Sequence, residues 1–257
     1  YHLFRMEAGG AAQRNVAAWL RGGWRSLGRR IRPEPRAGTP GWRASVRLFR
    51  EILRENPGFV RFERSFMIYG FAFLSVVPVL PLYVVHELRM SYPQLSATKG
   101  IWSQIGLLLL SPVLGAWLGR VRPLLFAGRS FLLLSLYPGC LLVSTLPGTP
   151  ARIAWVYLAL FFFSVAMTGV NLSWTLGSMH FAGRRDASAF QGVHVAMTGV
   201  RGLIAPGAGF LLYRAFGSAA VFGVSTALFL WAGTLMLRQD REERRGIAGA
   251  GGAAAPR

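Results

Sequence analysis

Six long apolar stretches follow one another through the middle of the chain, separated by short polar segments. They cover residues 66–85, 101–119, 124–146, 153–178, 188–213 and 217–237. A helix of about 20 mostly apolar residues spans a hydrocarbon core of about 30 Å. No aspartate or glutamate lies in these stretches, and Arg201 is the only arginine deep inside one. The pattern predicts an all-α polytopic membrane protein with six transmembrane helices in a bundle.

The flanks of this apolar region, 66–237, have a different composition. Residues 1–65 are basic and contain two amphipathic helical patterns, at 16–31 and 42–53. Basic helices of this type lie in the membrane interface, with arginines at anionic headgroups. The tail 238–257 becomes rich in Gly and Ala, and we expect it to be disordered. The sequence opens with a tyrosine, so we also expect that an upstream part is missing.

The net charge of +19 is large for a chain that is 53% apolar and only 15% charged. In a soluble domain such an excess would indicate a nucleic-acid partner. Here the basic residues alternate with the predicted spans: 24 lie in one set of flanks and loops and four in the other. By the positive-inside rule this predicts cytoplasmic termini, with lipid rather than nucleic acid as partner. We expect the plasma membrane, the inner membrane of a bacterium.

Polar side chains form stripes along two of the predicted helices. In the fourth, they recur at helical spacing at Tyr157, Ser164, Thr168, Asn171, Thr175 and Ser178. In the fifth, they are Gln191, His194, Thr198 and Arg201. Such residues either hydrogen-bond helices to one another or line a water-filled cavity. Because no acid of the spans neutralises Arg201, we favour the cavity, with Tyr69 of the first span as a further lining candidate.

Two other features of the spans predict how the helices pack and bend. Small residues occupy one side of the fifth span, at Gly192, Ala196, Gly199 and Gly202, which predicts close approach of another helix. Pro78 and Pro81 should bend the outer half of the first span. The single cysteine, Cys140, has no partner for an intrachain disulfide.

One loop resembles a motif of the major facilitator superfamily of transporters. The segment Gly115-Ala-Trp-Leu-Gly119-Arg120-Val-Arg122-Pro123 leads into the loop after the second span. The family has a Gly-x-x-x-Asp-Arg-x-Gly-Arg pattern there. Gly115 and Arg120 match it, whereas Gly119, Arg122 and Pro123 replace its Asp, second Gly and last Arg. The glycine-rich segment 199–209 also looks like the family's eleventh helix.

This resemblance, over about residues 42–238, implies the C-terminal half of a twelve-helix transporter. The family binds a small-molecule substrate near the membrane midplane, between two six-helix halves. The resemblance thus implies secondary-active transport by alternating access, with a missing N-terminal six-helix half as partner. It implies that spans 1 and 4 line the cavity and spans 2 and 5 face the other half. Without an acid in the spans, proton coupling would need a carboxylate of the other half, or His194.

Two other functions compete with transport. The chain could be a standalone six-span protein that forms its pathway as a dimer. A membrane-embedded enzyme is less favoured, because Gly177-Ser178-Met179-His180 lacks the second glycine of a serine nucleophile turn. The four histidines form no ligand cluster, so we expect neither a metal nor a cofactor.

Overall fold

The computed structural model describes residues 41–91, 93, 94, 96, 100, 108, 112, 113, 116, 120–183 and 186–253. Side chains are described for these except at 175, 176, 178, 179 and 246–253. The predicted amphipathic helix at 16–31 and most of the predicted span at 101–119 lie outside these residues. The chain divides into two compact units, 1–47 and 48–257, and the contacts reported below belong to the second.

All regular elements in the described ranges are helical. They are α1 (Trp42–Glu55), α2 (Pro57–Val76), α3 (Val79–Leu82), a π-helix (Tyr83–Glu87), α4 (Pro123–Leu134), α5 (Leu136–Thr145), α6 (Arg152–Ala182) and α7 (Ala187–Ala253). The all-α prediction is therefore confirmed for this part of the chain. The amphipathic helix predicted at 42–53 is present as α1.

Four helical segments of the described chain are long and apolar enough to cross a membrane. They are Pro57–Glu87, Pro123–Thr145, Arg152–Trp174 and Ala187–Arg245. Such lengths of apolar helix are typical of a membrane-embedded protein. The predicted first, third and fourth spans each coincide with one segment, and the fifth and sixth both fall in the last.

The first apolar helix begins earlier than the pattern predicted, which corrects one expectation. Pro57 occupies the first turn of α2, directly after Asn56, where its missing N–H costs no helical hydrogen bond. The apolar segment Pro57–Glu87 therefore includes Glu63, which is buried, and ends at Glu87. The predicted stretch 66–85 contains no acid, as expected, but the helical segment that carries it is longer and includes these two. Because Arg61 and Arg64 lie on either side of Glu63, this turn was predicted to belong to the basic segment 1–65.

The prolines of the first span interrupt its helix, as expected. Residues 77 and 78 form a turn between α2 and α3, and the chain continues as a π-helix from Tyr83. Proline lacks the N–H that an α-helix needs at interior positions, so helices kink or change type there. Tyr83 is fully buried at this point, and its hydroxyl lies 2.7 Å from the hydroxyl oxygen of Ser144.

The last helix, α7, consists of two parts joined at Gly217. This glycine has φ 80° and ψ −179°, a conformation that residues with a Cβ rarely adopt. We call residues 187–216 α7a and residues 218–253 α7b. The second part continues to Ala253, through most of the tail 238–257 that composition had predicted to be disordered. Its start is anchored to α2, because Ser225 donates a hydrogen bond to the Ala72 carbonyl.

Contacts along α2 show that the two parts of α7 run in opposite directions. On α7a, His194 meets Glu63 and Ala205 meets Ser75, so both numbers rise together and the helices are parallel. On α7b, the contacts join Ser218 to Glu87, Ser225 to Ala72 and Gln239 to Gly58. Here one number rises as the other falls, so α7b is antiparallel to α2. Gly217 therefore reverses the chain.

The remaining helices alternate in the same way. Arg122 at the start of α4 pairs with Asp240, and Gly128 of α4 lies against Gly233, so α4 is antiparallel to α7b and parallel to α2. α6 is antiparallel to α2, because Phe181 near its end lies beside Gly58. We call the end of the bundle where α2 begins the basic end. Arg152, whose Nε donates to the Ser144 carbonyl at 2.6 Å, marks the opposite end.

Glycines set the closest helix contacts. An added Cβ at Gly209 would overlap the backbone of Ser75, so α2 and α7a touch backbone to backbone there. Gly128 and Gly233 play the same role between α4 and α7b, where a Cβ on Gly233 would lie 3.1 Å from the Gly128 carbonyl oxygen. Small residues allow this approach, which supplies the packing that holds helices together in lipid.

We predict that Gly209→Ala destabilises the protein. The new methyl group would force α2 and α7a apart, and overpacking of this kind costs about 1–3 kcal/mol. The thermal midpoint of unfolding in detergent should fall. Gly207→Ala is the matched control, because no described atom lies within 4 Å of a Cβ there. An equal effect of both substitutions would mean that the contact with Ser75 does not limit packing.

Candidate functional site

A buried ion-pair candidate joins α2 to α7a near the basic end. The Oε1 of Glu63 lies 2.7 Å from Nδ1 of His194, and the two side chains are only 2% and 1% exposed. When the carboxylate is ionised, Nδ1 of His194 carries the proton and donates it in this hydrogen bond. The parallel alignment of the two helices brings these side chains together.

Arg201 lies two turns further along the same interface. It follows His194 by seven residues, and Gly70 follows Glu63 by seven, so both helices present the same face again. Nη1 of Arg201 donates a hydrogen bond to the Phe66 carbonyl. Its guanidinium occupies the space that a Cβ of Gly70 would fill. The glycine is therefore what lets this large cation fit between two helices.

Tyr69 forms the floor beneath the guanidinium. The Cζ of Arg201 lies 5.3 Å from the centre of the Tyr69 ring, an arrangement in which a cation is attracted by the ring face. Tyr69 also stacks on Phe131 of α4, with ring centres 4.6 Å apart. Arg201, Tyr69 and α4 are thus tied into one packed unit.

One acid and one permanent cation are buried on this interface. Glu63 lies two turns before Gly70, the residue against which the Arg201 guanidinium packs. Glu63 contacts His194, whereas Arg201 contacts the Phe66 carbonyl and the Tyr69 ring. Charged groups in an interior of low dielectric constant are costly unless such partners are present.

Aromatic rings enclose the imidazole of His194. The ring centres of Phe66 and Trp174 lie 5.0 and 5.4 Å from it, and that of Phe62 lies 6.2 Å away. Among the described residues, Nε2 of His194 and Nε of Arg201 have no hydrogen-bond partner, although both atoms are buried. Nε2 can accept a proton or a hydrogen bond, and the Nε–H of Arg201 can donate one. The site therefore offers one acceptor and one donor inside an apolar shell.

Part of the predicted stripe of the fifth span lies at this site. His194 and Arg201 belong to that stripe, and Tyr69, predicted from the first span, lies beside Arg201. Thr198 satisfies its hydroxyl within its own helix by donating to the His194 carbonyl at 3.0 Å, and Gln191 is half-buried one turn before His194. The structure thus joins a predicted stripe on α7a to a residue of α2 that the sequence analysis had left out.

The stripe on α6 follows the border between its buried and exposed sides. Ser164 and Thr168 are buried, and Thr168 donates to the Ser164 carbonyl at 3.0 Å. Tyr157 and Asn171 are exposed, and the side chain of Thr175 lies outside the described atoms. Backbone bonding of this kind satisfies a hydroxyl without a partner helix. These positions are compatible with a cavity wall, and no contact assigns them to one.

The loop residues of the transporter-like motif are described in part. Gly115 and Gly119 lie outside the described residues, and Arg120 is exposed. Arg122 pairs through Nη2 with the carboxylate of Asp240, which is 3% exposed. Arg122, just before α4, is thus held by an acid of α7b. Asp240 was missed because it had been assigned to the disordered tail.

Sequence signals existed for Glu63 but were weak. Asn56-Pro57 is a common start of a helix, and it places Glu63 two turns inside. The seven-residue spacing from Glu63 to Gly70 repeats that from His194 to Arg201, which becomes informative only once the two helices are known to be neighbours.

Comparison of the chain with known protein families, curated proteins and solved structures finds no match. The described residues contain no group of three or more His, Cys, Asp or Glu that could hold a metal ion. The function must therefore be argued from the charged groups that this bundle buries.

Proposed function

We propose that this chain is a six-helix half of a secondary-active transporter, of the type found in the major facilitator superfamily. It would move a small solute across the membrane by alternating access. The observation that carries the proposal is the buried group formed by Glu63, His194 and Arg201 between two apolar helices. Ionisable residues at membrane depth are costly, and they are kept where a protein binds or moves charge.

Six crossings follow from this proposal and from the directions of the helices. α2 and α4 begin at the same end, so the chain between them has to return from the opposite end to the basic end. The helices α4 and α5 form one span, so the passages are α2, this return, α4 with α5, α6, α7a and α7b, which makes six. The basic end carries Arg61, Arg122 and Arg238, which supports a cytoplasmic location for it and for both termini. We place the protein in the plasma membrane, as in the inner membrane of a bacterium.

The exposed side of α7a supports a second six-helix unit as partner. Gly192, Gly199 and Gly202 meet no described atom within 4 Å of a Cβ position, and Leu203, next to Gly202, is 86% exposed. Small residues next to large exposed ones suit close packing of another helix. The missing N-terminal half of the same protein is the partner we propose. A second copy of this chain is the alternative, and a membrane-embedded enzyme is the least favoured.

The buried group suggests how charge could be coupled to transport. Glu63 and His194 share one hydrogen bond, and the net charge of their group with Arg201 depends on the proton of His194. A proton or an anionic solute reaching Nε2 of His194 or Nε of Arg201 would change that balance. Such a change alters the cost of keeping α2 against α7a, which is the kind of difference a two-state carrier needs.

We predict the topology as follows. After Cys140 is replaced, a single cysteine at Thr149 should react with an impermeant maleimide only from outside intact cells. A cysteine at Asp186 should react only after the inner face is made accessible. Both positions lie in short connections between apolar helices. The reverse pattern would overturn the orientation, and reaction of both from one side would overturn the number of crossings between them.

We predict that Arg201→Gln and Glu63→Gln abolish transport while the protein still inserts. Arg201→Gln removes the cation held by the Phe66 carbonyl and the Tyr69 ring, and Glu63→Gln removes the carboxylate that His194 contacts. Arg201→Lys should impair transport, because it keeps the charge but loses the planar fork. Transport is read as current from proteoliposomes on a solid support during concentration jumps of sugars, amino acids, organic anions and cationic drugs. Proteoliposomes are prepared with this chain alone and with a six-span partner half.

Two exposed or peripheral residues serve as controls for that experiment. Arg214→Gln removes an exposed cation from the same helix as Arg201, and Glu87→Gln removes the acid at the far end of the first apolar segment. Both variants should transport normally. Wild-type rates for Arg201→Gln would withdraw the functional role of Arg201.

We predict that one face of α6 is reached by water. Single cysteines at Ser164, Thr168, Asn171 and Thr175 should react with a small aqueous thiol reagent in membranes. Cysteines on the opposite face, at Phe162, Ala166 and Ser173, should react less. Because Ala166 and Ser173 are as buried as Ser164 and Thr168, a difference in reactivity would report water on one face of the helix rather than overall exposure. Equal reactivity of the two sets would favour hydrogen bonding between helices as the purpose of the stripe.

A further inference from the structure

A basic cleft lies at the basic end of the bundle, between the start of α2 and α7b. Its volume is about 200 Å³. Its lining consists of Arg61, Arg64, Leu235, Arg238, Gln239 and Glu242. The cleft is separate from the site of Glu63 and His194, whose side chains point into the interface between α2 and α7a instead.

The cleft has an excess of positive charge. Arg61 is neutralised by Glu242, whose Oε2 lies 2.6 Å from its Nη1. In the described part of the chain no acid pairs with Arg64 or Arg238, and both are exposed at the cleft. Its three arginines and one glutamate leave two positive charges uncompensated. Such an arrangement attracts an anion and offers it two guanidinium groups from two different helices.

We propose that this cleft binds the headgroup of an anionic phospholipid. Guanidinium groups present paired N–H donors that match the oxygens of a phosphate diester. The cleft wall is fixed by Gln239, whose Nε2 donates to the Gly58 carbonyl at 2.8 Å and to Glu243 at 3.1 Å. Arg64 and Arg238 therefore project from helices that are already held together at this level.

The surroundings of the cleft favour a lipid over a soluble phosphate compound. On α7b, Leu235 and Trp231 precede Arg238 by three and seven residues and continue its face toward the membrane interior; Trp231 is 54% exposed. On α2, Ile68 follows Arg64 by four residues and continues that face in the same direction. The ligand site thus has a charged end and an apolar end. Basic pockets between helices at the cytoplasmic surface bind anionic headgroups in this way.

This inference does not depend on transport. A protein that failed every transport assay could still hold a lipid between α2 and α7b. Its consequence is that lipid composition would control how firmly the two helices are joined at the basic end.

The test compares lipid binding by delipidated full-length protein in detergent. Native mass spectrometry would measure the affinities for phosphatidylglycerol and for phosphatidylcholine, together with the thermal midpoint at each lipid concentration. We expect phosphatidylglycerol to bind about tenfold more tightly, because both lipids carry a phosphate diester but the quaternary ammonium of phosphatidylcholine cancels the net charge that Arg64 and Arg238 attract. The double variant Arg64→Gln/Arg238→Gln should lose this preference and the accompanying thermal stabilisation.

The matched control removes the same charge at the same end. Arg241 and Arg244 are exposed on α7b but do not line the cleft, so Arg241→Gln/Arg244→Gln should keep the preference for phosphatidylglycerol. Equal loss in both double variants would overturn the proposal in favour of general charge attraction. No preference in the wild-type protein would overturn it as well.

Two further arms complete the test. Glycerol phosphate at equal concentration should compete only weakly with phosphatidylglycerol for the cleft. If it competed as strongly as the lipid itself, the cleft would be a site for a soluble phosphate compound, and the lipid assignment would be overturned. If the glutamine variant does not fold, Arg64→Lys/Arg238→Lys keeps the charge and removes the paired donors. It should bind phosphatidylglycerol more weakly than the wild type, and unchanged affinity would overturn the guanidinium contacts.

Discussion

The cost of a charge without a partner in an apolar interior governs this structure. Arg201 cannot lose its proton under physiological conditions, so it needs complementary groups wherever it is buried. α2 supplies two of them, the Phe66 carbonyl and the face of the Tyr69 ring. The alignment of α2 with α7a is therefore constrained by electrostatics as well as by packing. A shift of one residue between the helices would separate every one of these contacts.

The interface between α2 and α7a is held by backbone packing at one level and by polar contacts at another. Toward the opposite end, Ser75 and Gly209 touch through their backbones, and no charge is involved. Toward the basic end, polar contacts replace the backbone contact, and aromatic rings of α2 and α6 surround them. One helix pair thus combines an apolar contact that tolerates only glycine with a polar contact that requires a specific set of charges.

Much of the fold could be predicted from the sequence, since long apolar segments without breakers leave few alternatives to membrane helices. The period of polar residues on α7a correctly put His194 and Arg201 on one face. Two features of the fold could not be predicted from the sequence. The limits of a span depend on where a helix starts, and a buried acid between two arginines resembles a polar flank. Which helices are neighbours is decided by packing between distant segments, so the pairing of Glu63 with His194 could not be inferred from either helix alone.

The break within α7 falls at Gly217, where the apolar pattern had placed it, between the predicted stretches 188–213 and 217–237. The positive φ of this glycine lets the chain reverse, and the helix resumes at once on the other side. The pairing of Arg122 with Asp240 could not be predicted in this way, because the two residues are 118 positions apart in the chain.

The backbone contact between Ser75 and Gly209 has a mechanical consequence. Their backbones touch there, so a change in the crossing angle of α2 and α7a would pivot at this contact. His194 lies 15 residues from Gly209, a lever of about 22 Å at the rise of an α-helix. A tilt of only about 10° would move the imidazole by about 4 Å, enough to break its 2.7 Å hydrogen bond with Glu63. The hydrogen bond between Glu63 and His194 therefore depends on how tightly Ser75 and Gly209 pack.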